Sequence, residues 1–182
     1  HHPIDQQQKL YDALHEAGAE FGMKNFGLRA MDSMRFEKGY PIWGPELNTE
    51  FTALEANLGW FVKMDKEFEG KEALARQKEQ GVKTKLVTIE VDSEMTHADK
   101  TDAQNGFEPL YMNGEIVGQC SSGGYGHRTQ KSLALAFIDL TKIDIKANNE
   151  GLAVEILGKQ YPAKITSGCI YDPKGELLKA DD

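Results

Sequence analysis

The dipeptide Asn113-Gly114 constrains this chain more than any other pair of residues in it. It stands between EPLYM and EIVGQC, two short runs of strand-forming residues. Asn-Gly is the pair best suited to the two positive-φ positions of a tight hairpin turn. Residues 108–120 are therefore expected to form two antiparallel strands. In KLVTIEV, Val87, Ile89 and Val91 share one face and Leu86, Thr88 and Glu90 the other, a strand alternation. SLALAFIDL reads as a buried strand, and LAVEILGKQYPAKI as a second hairpin, turning at Gly158-Lys159. Five or six short strands separated by turns point to a small antiparallel barrel. The acidic stretch 92–106 is expected to be a loop.

The residues before this region follow another period. Asp5 can cap a helix running to about Glu20, with Leu10, Leu14 and Ala17 on one face and Gly22 as its stop. A second helix covers about Leu28 to Lys38 and ends at Gly39. Between Tyr40 and Lys66, prolines and glycines predict irregular chain, with one helical turn over 52–58 and a strand at GWFVKM. KEALARQKEQG predicts a charged surface helix ending at Gly81. Helices come first and strands afterwards, so the class is α+β, with domains expected at 1–82 and 83–182.

With 40% apolar residues the 182-residue chain can build a core, and its formal charge of −8 argues against nucleic acid or an anionic membrane as a partner. No apolar run is long enough to span a membrane. Cys120 and Cys169 stand far apart and read as reduced thiols. The five histidines are scattered without metal-ligand spacing, so no metal site is expected.

Three features could carry chemistry. In GLRAMDSMRFEKGY, Leu28, Met31 and Met34 look made for a core, while Arg29, Asp32 and Ser33 are helix neighbours, as are Asp32 and Arg35. These charges are either surface ion pairs or the recognition element for an anion, for which a guanidinium supplies a permanent charge and two parallel donors. In CSSGGYGHRTQKS, the glycines permit close backbone approach, either as a ligand-binding loop or as a plain barrel turn; the spacing is not that of a phosphate loop. Trp60 is either core or a cover for a flat heterocycle.

Longer motifs add a resemblance. GLRAMDSMRFEKGYPIWGPELNTEFTALEANLGWFVKMDKEFEGKEAL resembles the aminomethyltransferase family, which includes the glycine cleavage T-protein and the folate-binding portions of dimethylglycine and sarcosine dehydrogenases. The pattern G-L-x-A-x-D-S-L-R-L-E-x-G, a Y-G or W-G turn and T-P-x-E-A-x-L-G-W fits at Arg29, Asp32, Ser33, Arg35, Glu37, Gly39, Gly44, Glu55, Leu58, Gly59 and Trp60, with Ala53 replacing the proline. LVTIEV, EPLYMNGEIVGQCSSGGYGHRTQKSLALAFI and the closing YDP resemble the family's C-terminal barrel. The SGGYGH form is similar to the dimethylglycine and sarcosine dehydrogenase branch.

The resemblance implies an incomplete helical and mixed segment of the folate-binding domain, then the barrel. It implies a tetrahydrofolate site. Arg29 would contact the folate through its glutamate tail, Trp60 would wall the pocket, and Tyr171 is the candidate for a C-terminal folate-contacting tyrosine. The family's assisting aspartate and its Y-x-G-E glutamate have no counterpart here, so no residue is assigned as catalytic, Asp32 and His127 included. The chain is expected to be the C-terminal half of a larger protein, inactive alone, with any FAD in an upstream domain. The implied parent is a demethylating dehydrogenase of dimethylglycine or sarcosine type. It would make 5,10-methylenetetrahydrofolate from folate and a small methylated-amine-derived iminium, in the cytoplasm of a bacterium or the mitochondrial matrix of a eukaryote. The alternatives are a T-protein, a folate-dependent sulfonium demethylase, or a non-catalytic regulatory relative. Apolar surface in the first part is expected to meet the N-terminal portion or another chain.

Overall fold

The computed structural model describes residues 1–92, 106–147, 149–166 and 168–180. By its contacts the chain separates into residues 1–31 and residues 32–182, and the division falls inside a helix. The expected acidic loop lies outside the described residues except at its two ends.

In the first unit, a 3-10 turn over Ile4–Gln6 leads into α1, Gln7–Gly18, and a second 3-10 turn over Ala19–Phe21 ends at Gly22 with φ 65°. Asp5 is not the cap. The turn starts behind Pro3, and Asp5 sits inside it, accepting a hydrogen bond from Gln6. The segment after the helix folds back on it through Asn25, whose amide donates to Tyr11 Oη at 2.7 Å and meets His15 Nε2 at 2.9 Å. Leu10 and Leu14 are exposed, as are Phe21 and Phe26, so the predicted apolar face is bare within this unit.

In the second unit, six strands close into a barrel: β1 Thr84–Val91, β2 Pro109–Met112, β3 Glu115–Gly126, β4 Lys131–Asp139, β5 Leu152–Ile156 and β6 Lys159–Thr166. Neighbours run in the order β1-β4-β3-β2-β5-β6, with β1 also paired to β6, and every pairing is antiparallel. Closure leaves no free edge for another chain to extend. The first hairpin turns at Asn113 and Gly114, with φ 52° and 85°. The second turns one residue earlier than expected, at Leu157 and Gly158 with φ 51° and 78°. Ile156 pairs with Lys159, and this register keeps Ile156 and Tyr161 in the barrel core.

Parity divides β1 and β4 between two cores. Val87, Ile89 and Val91 of β1 and Ala134, Ala136 and Ile138 of β4 fill the barrel with Leu110, Val117, Leu152 and Val154. Leu86 of β1 and Leu133, Leu135 and Phe137 of β4 point outward, yet they too are buried, beneath Phe36, Phe51 and Ile170. The Phe51 and Phe137 rings stack at 3.5 Å and 10°. A strand buried on both faces reads as a continuous apolar run, which is why SLALAFIDL lacks alternation.

Outside the barrel lie α2, Leu28–Lys38, α3, Lys71–Gln80, and the short α4, Glu176–Lys179. Residues 52–58 make the expected single turn: Glu55 accepts from the N–H and hydroxyl of Thr52, and the Leu86 N–H binds the Glu55 carbonyl. GWFVKM is not a strand. Gly59–Phe61 form a 3-10 turn, because backbone N–H groups here bond to carbonyls three residues back.

Candidate functional site

Residues 32–38 of α2 form a polar clip to the barrel. Phe36 is the apolar anchor, whereas Leu28 and Met34 are exposed and form no core. Glu37, only 2% exposed, points its carboxylate at the turn between β3 and β4. One oxygen, Oε1, accepts from the Arg128 N–H at 2.8 Å, the Thr129 N–H at 2.7 Å and the Thr129 hydroxyl at 3.0 Å. The buried Ser33 hydroxyl donates to the Tyr125 carbonyl at 2.7 Å and accepts from the His127 N–H at 3.3 Å. A Cβ at Gly126 would meet the Glu37 carboxylate at 2.9 Å, so the strand admits only glycine beside the clip.

The glycine-rich stretch is thus not a loop. Gly123, Gly124 and Gly126 lie within β3, paired to β4, and the turn comes only at His127 to Gln130. Gly126 lets a helix carboxylate approach the strand, and the backbone of all three glycines is spent on the sheet.

A second carboxylate, Glu46, is fully buried. Its Oε1 accepts hydrogen bonds from the hydroxyls of Ser121, at 2.6 Å, and Ser122. Its Oε2 accepts from the Ile42 N–H at 2.9 Å and lies 3.5 Å from Arg35. Arg35 also donates to Asp32 at 2.7 Å and stands over the Phe36 ring. Asp32 and Arg35 therefore belong to a half-buried structural network and not to a surface pair. Glu37 Oε1 and both oxygens of Glu46 have partners, the condition under which a buried carboxylate is tolerated. Sequence reasoning gave neither glutamate a role. Glu37 sits inside the recurring motif, but Glu46 pairs with serines at 121 and 122, too far along the chain for spacing to reveal.

The C-terminal segment lies along the end of the same helix. The Glu37 carbonyl accepts the N–H groups of Ile170, at 2.9 Å, and Tyr171, at 3.0 Å. Lys38 Nζ lies 3.1 Å from the Asp172 carboxylate and 5.8 Å from the centre of the Tyr171 ring. Burial opposes the charge on Lys38, but the hydrogen bond and charge of Asp172 outweigh it and raise the lysine pKa. Burial opposes the charge on Asp172 too, and Lys38 with the N–H groups of Glu176 and Leu177 overcomes it and lowers the carboxyl pKa.

Beside Lys38 opens a cleft of about 870 Å³ between the 39–61 segment and strands β1, β4 and β6. Its walls include Trp60, Phe61, Leu86, Leu135 and Ile165. Trp60 is 70% exposed and stacks on Phe61 at 3.6 Å. It is therefore not core; it lines the cleft.

The structure brings two of the three expected binding residues to Lys38, with Trp60 on the cleft wall and Tyr171 under the ammonium group. Arg29 lies in the first unit and is exposed on α2. No helix among the described residues is long and apolar enough to cross a membrane.

Two family models match the chain: the GCVT N-terminal domain over residues 1–66 and the glycine cleavage T-protein C-terminal barrel domain over residues 84–172. The chain is 39% identical to human mitochondrial dimethylglycine dehydrogenase over 167 residues, covering 91% of this chain and 18% of that protein. It is 36% identical to the aminomethyltransferase of Caldanaerobacter subterraneus subsp. tengcongensis over 169 residues, 89% of this chain and 43% of that one. The chain thus spans less than half the length of these relatives. The crystal structure of the glycine cleavage system aminomethyltransferase T from Bartonella henselae superposes with a TM-score of 0.76 at 22% identity, over 94% of this chain and 45% of that one, a likeness of fold.

Proposed function

Because this chain belongs to the glycine cleavage T-protein, or aminomethyltransferase, family, we propose that it is the tetrahydrofolate-binding C-terminal part of a one-carbon-transferring enzyme. Within the family we infer a demethylating dehydrogenase of dimethylglycine or sarcosine type, with its boundary between folate-binding part and barrel at 82/83. The observation that carries this reading is the identity to dimethylglycine dehydrogenase across 91% of the chain.

The cleft fits the ligand's chemistry. Apolar and aromatic walls suit a flat heterocycle, and lysines among the lining residues suit carboxylates. When bound, tetrahydrofolate supplies the amine nitrogens that accept a one-carbon unit as 5,10-methylenetetrahydrofolate. The chain's own residues bind and orient. Trp60 covers the ring system, the Lys38 and Glu37 contacts hold Tyr171 in place, and Arg29 takes a carboxylate of the glutamate tail. None of these residues moves a proton, and we assign no catalytic residue here. The flavin and the iminium-forming chemistry belong to a part of the enzyme outside these residues. The bare apolar side chains of α1 are assigned to contact with that part or another chain. The compartment that goes with this reading is the cytoplasm in a bacterium and the mitochondrial matrix in a eukaryote.

Calorimetric titration with tetrahydrofolate tests the reading. Saturable binding is expected, weakened about tenfold or more by Arg29→Ala, the scale of one charge-assisted hydrogen-bonded pair. Unchanged affinity in the variant removes Arg29 from the site; no binding to the unaltered chain removes the folate reading.

The second reading is a T-protein without a flavin domain, favoured by the 36% identity to aminomethyltransferases. The enzyme's flavin content discriminates: a bound flavin supports the dehydrogenase, and its absence in the active enzyme supports the T-protein.

A further inference from the structure

The cleft beside Trp60 has an unusual charge. Three lysines line it, Lys38, Lys85 and Lys146, and among the described residues no acidic one does. The whole chain carries 29 acidic against 21 basic residues, so an acid-free wall is a local reversal of the chain's balance. The three lysines are not equivalent. Lys38 is neutralised by Asp172. Lys85, half-buried on β1, and Lys146, after β4, make no ion pair with any described residue. Both line the cleft together with the apolar residues Leu86 and Ile145. A ligand complementary to this wall has a flat apolar body and more than one negative charge.

We propose that Lys85 and Lys146 bind the carboxylates of the folate's glutamyl end and so set the protein's preference for a ligand that carries that end. The proposal rests on the folate reading above and adds to it the residues that read the anionic end. A glutamyl group presents an α- and a γ-carboxylate, each with several acceptor positions for an ammonium group. An ammonium group binds carboxylate as a compact charge with rotatable donors, which suits an end held by its charge and not by a fixed fork.

The experiment compares tetrahydrofolate with tetrahydropteroate, the same molecule without its glutamate, by anaerobic equilibrium titration of the full chain and of the Lys85→Ala/Lys146→Ala variant. The unaltered chain is expected to favour tetrahydrofolate by about tenfold or more. The variant is expected to lose that preference while binding tetrahydropteroate within about twofold as before, and Lys85→Arg/Lys146→Arg is expected to restore it. Circular dichroism establishes that each variant retains its fold. If the unaltered chain binds both ligands alike, or if the alanine variant keeps the preference or weakens both ligands alike, the lysine assignment is wrong and the folate reading stands. If the unaltered chain binds neither ligand, both fall.

Discussion

Glu37 shows at the scale of one residue why a helix can carry charge in its buried face. Its carboxylate replaces water for two backbone N–H groups and a hydroxyl at the turn between β3 and β4. Glu37→Ala would leave those N–H groups without their acceptor, and the expected loss is about 3–5 kcal/mol of unfolding free energy, measured by urea denaturation. A loss within about 0.5 kcal/mol of zero would show that water satisfies the turn equally well. The motif around Glu37 was legible in the sequence, but its burial was not. Helical spacing says which side chains are neighbours and is silent on which face meets a strand ninety residues on. Leu28 and Met34 were read as core for the same reason: they are apolar and helical, but Phe36, Ser33 and Glu37 face the sheet.

At the scale of elements, Gly39 decides where α2 can end. It adopts φ +65°, and a Cβ there would lie 1.6 Å from the Gly168 carbonyl oxygen. Gly39→Ala therefore cannot be absorbed by a side-chain shift; either α2 or the 168–172 segment must move. The expected cost is about 3 kcal/mol or more, with protease sensitivity appearing first in the C-terminal segment. A variant as stable and as resistant as the original would refute the close packing of these two elements. The element boundaries were read well where turn chemistry is local, as at Asn113-Gly114 and Gly39. They were misread where tertiary contacts decide. The glycines of β3 look like a loop because nothing in the sequence shows that they pair with β4 or that a glutamate from α2 needs the space at Gly126. GWFVKM looks like a strand because its apolar residues do not show that Trp60 remains exposed.

For the whole molecule, three carboxyl groups connect stability to pH. Glu90 is held low by Lys131 and Lys164 against the opposing effect of burial. Asp139 is held low by the hydroxyl and then the N–H of Thr141. Asp172 is held low by Lys38 and the start of α4 against the opposing effect of burial. A carboxyl whose folded pKa lies below its unfolded value stabilises fully above the unfolded value, about 4, and the stabilisation is lost as pH falls through the folded value. The melting temperature is therefore expected to drop as pH is lowered below about 4, and Asp172→Asn is expected to flatten part of that drop. A melting temperature unaffected by acid would mean these contacts do not persist in solution.

For the whole molecule, tetrahydrofolate is the proposed ligand of the cleft beside Trp60. The chain has two tryptophans, Trp43 and Trp60. Trp43→Phe leaves Trp60 as the sole reporter, on the cleft wall. Titration of that variant with tetrahydrofolate, corrected for inner-filter absorption, is expected to quench its emission along a saturable curve, with a midpoint matching the calorimetric dissociation constant. Saturable calorimetric binding with no change in Trp60 emission would place the ligand elsewhere, and no saturable signal by either method would contradict the account.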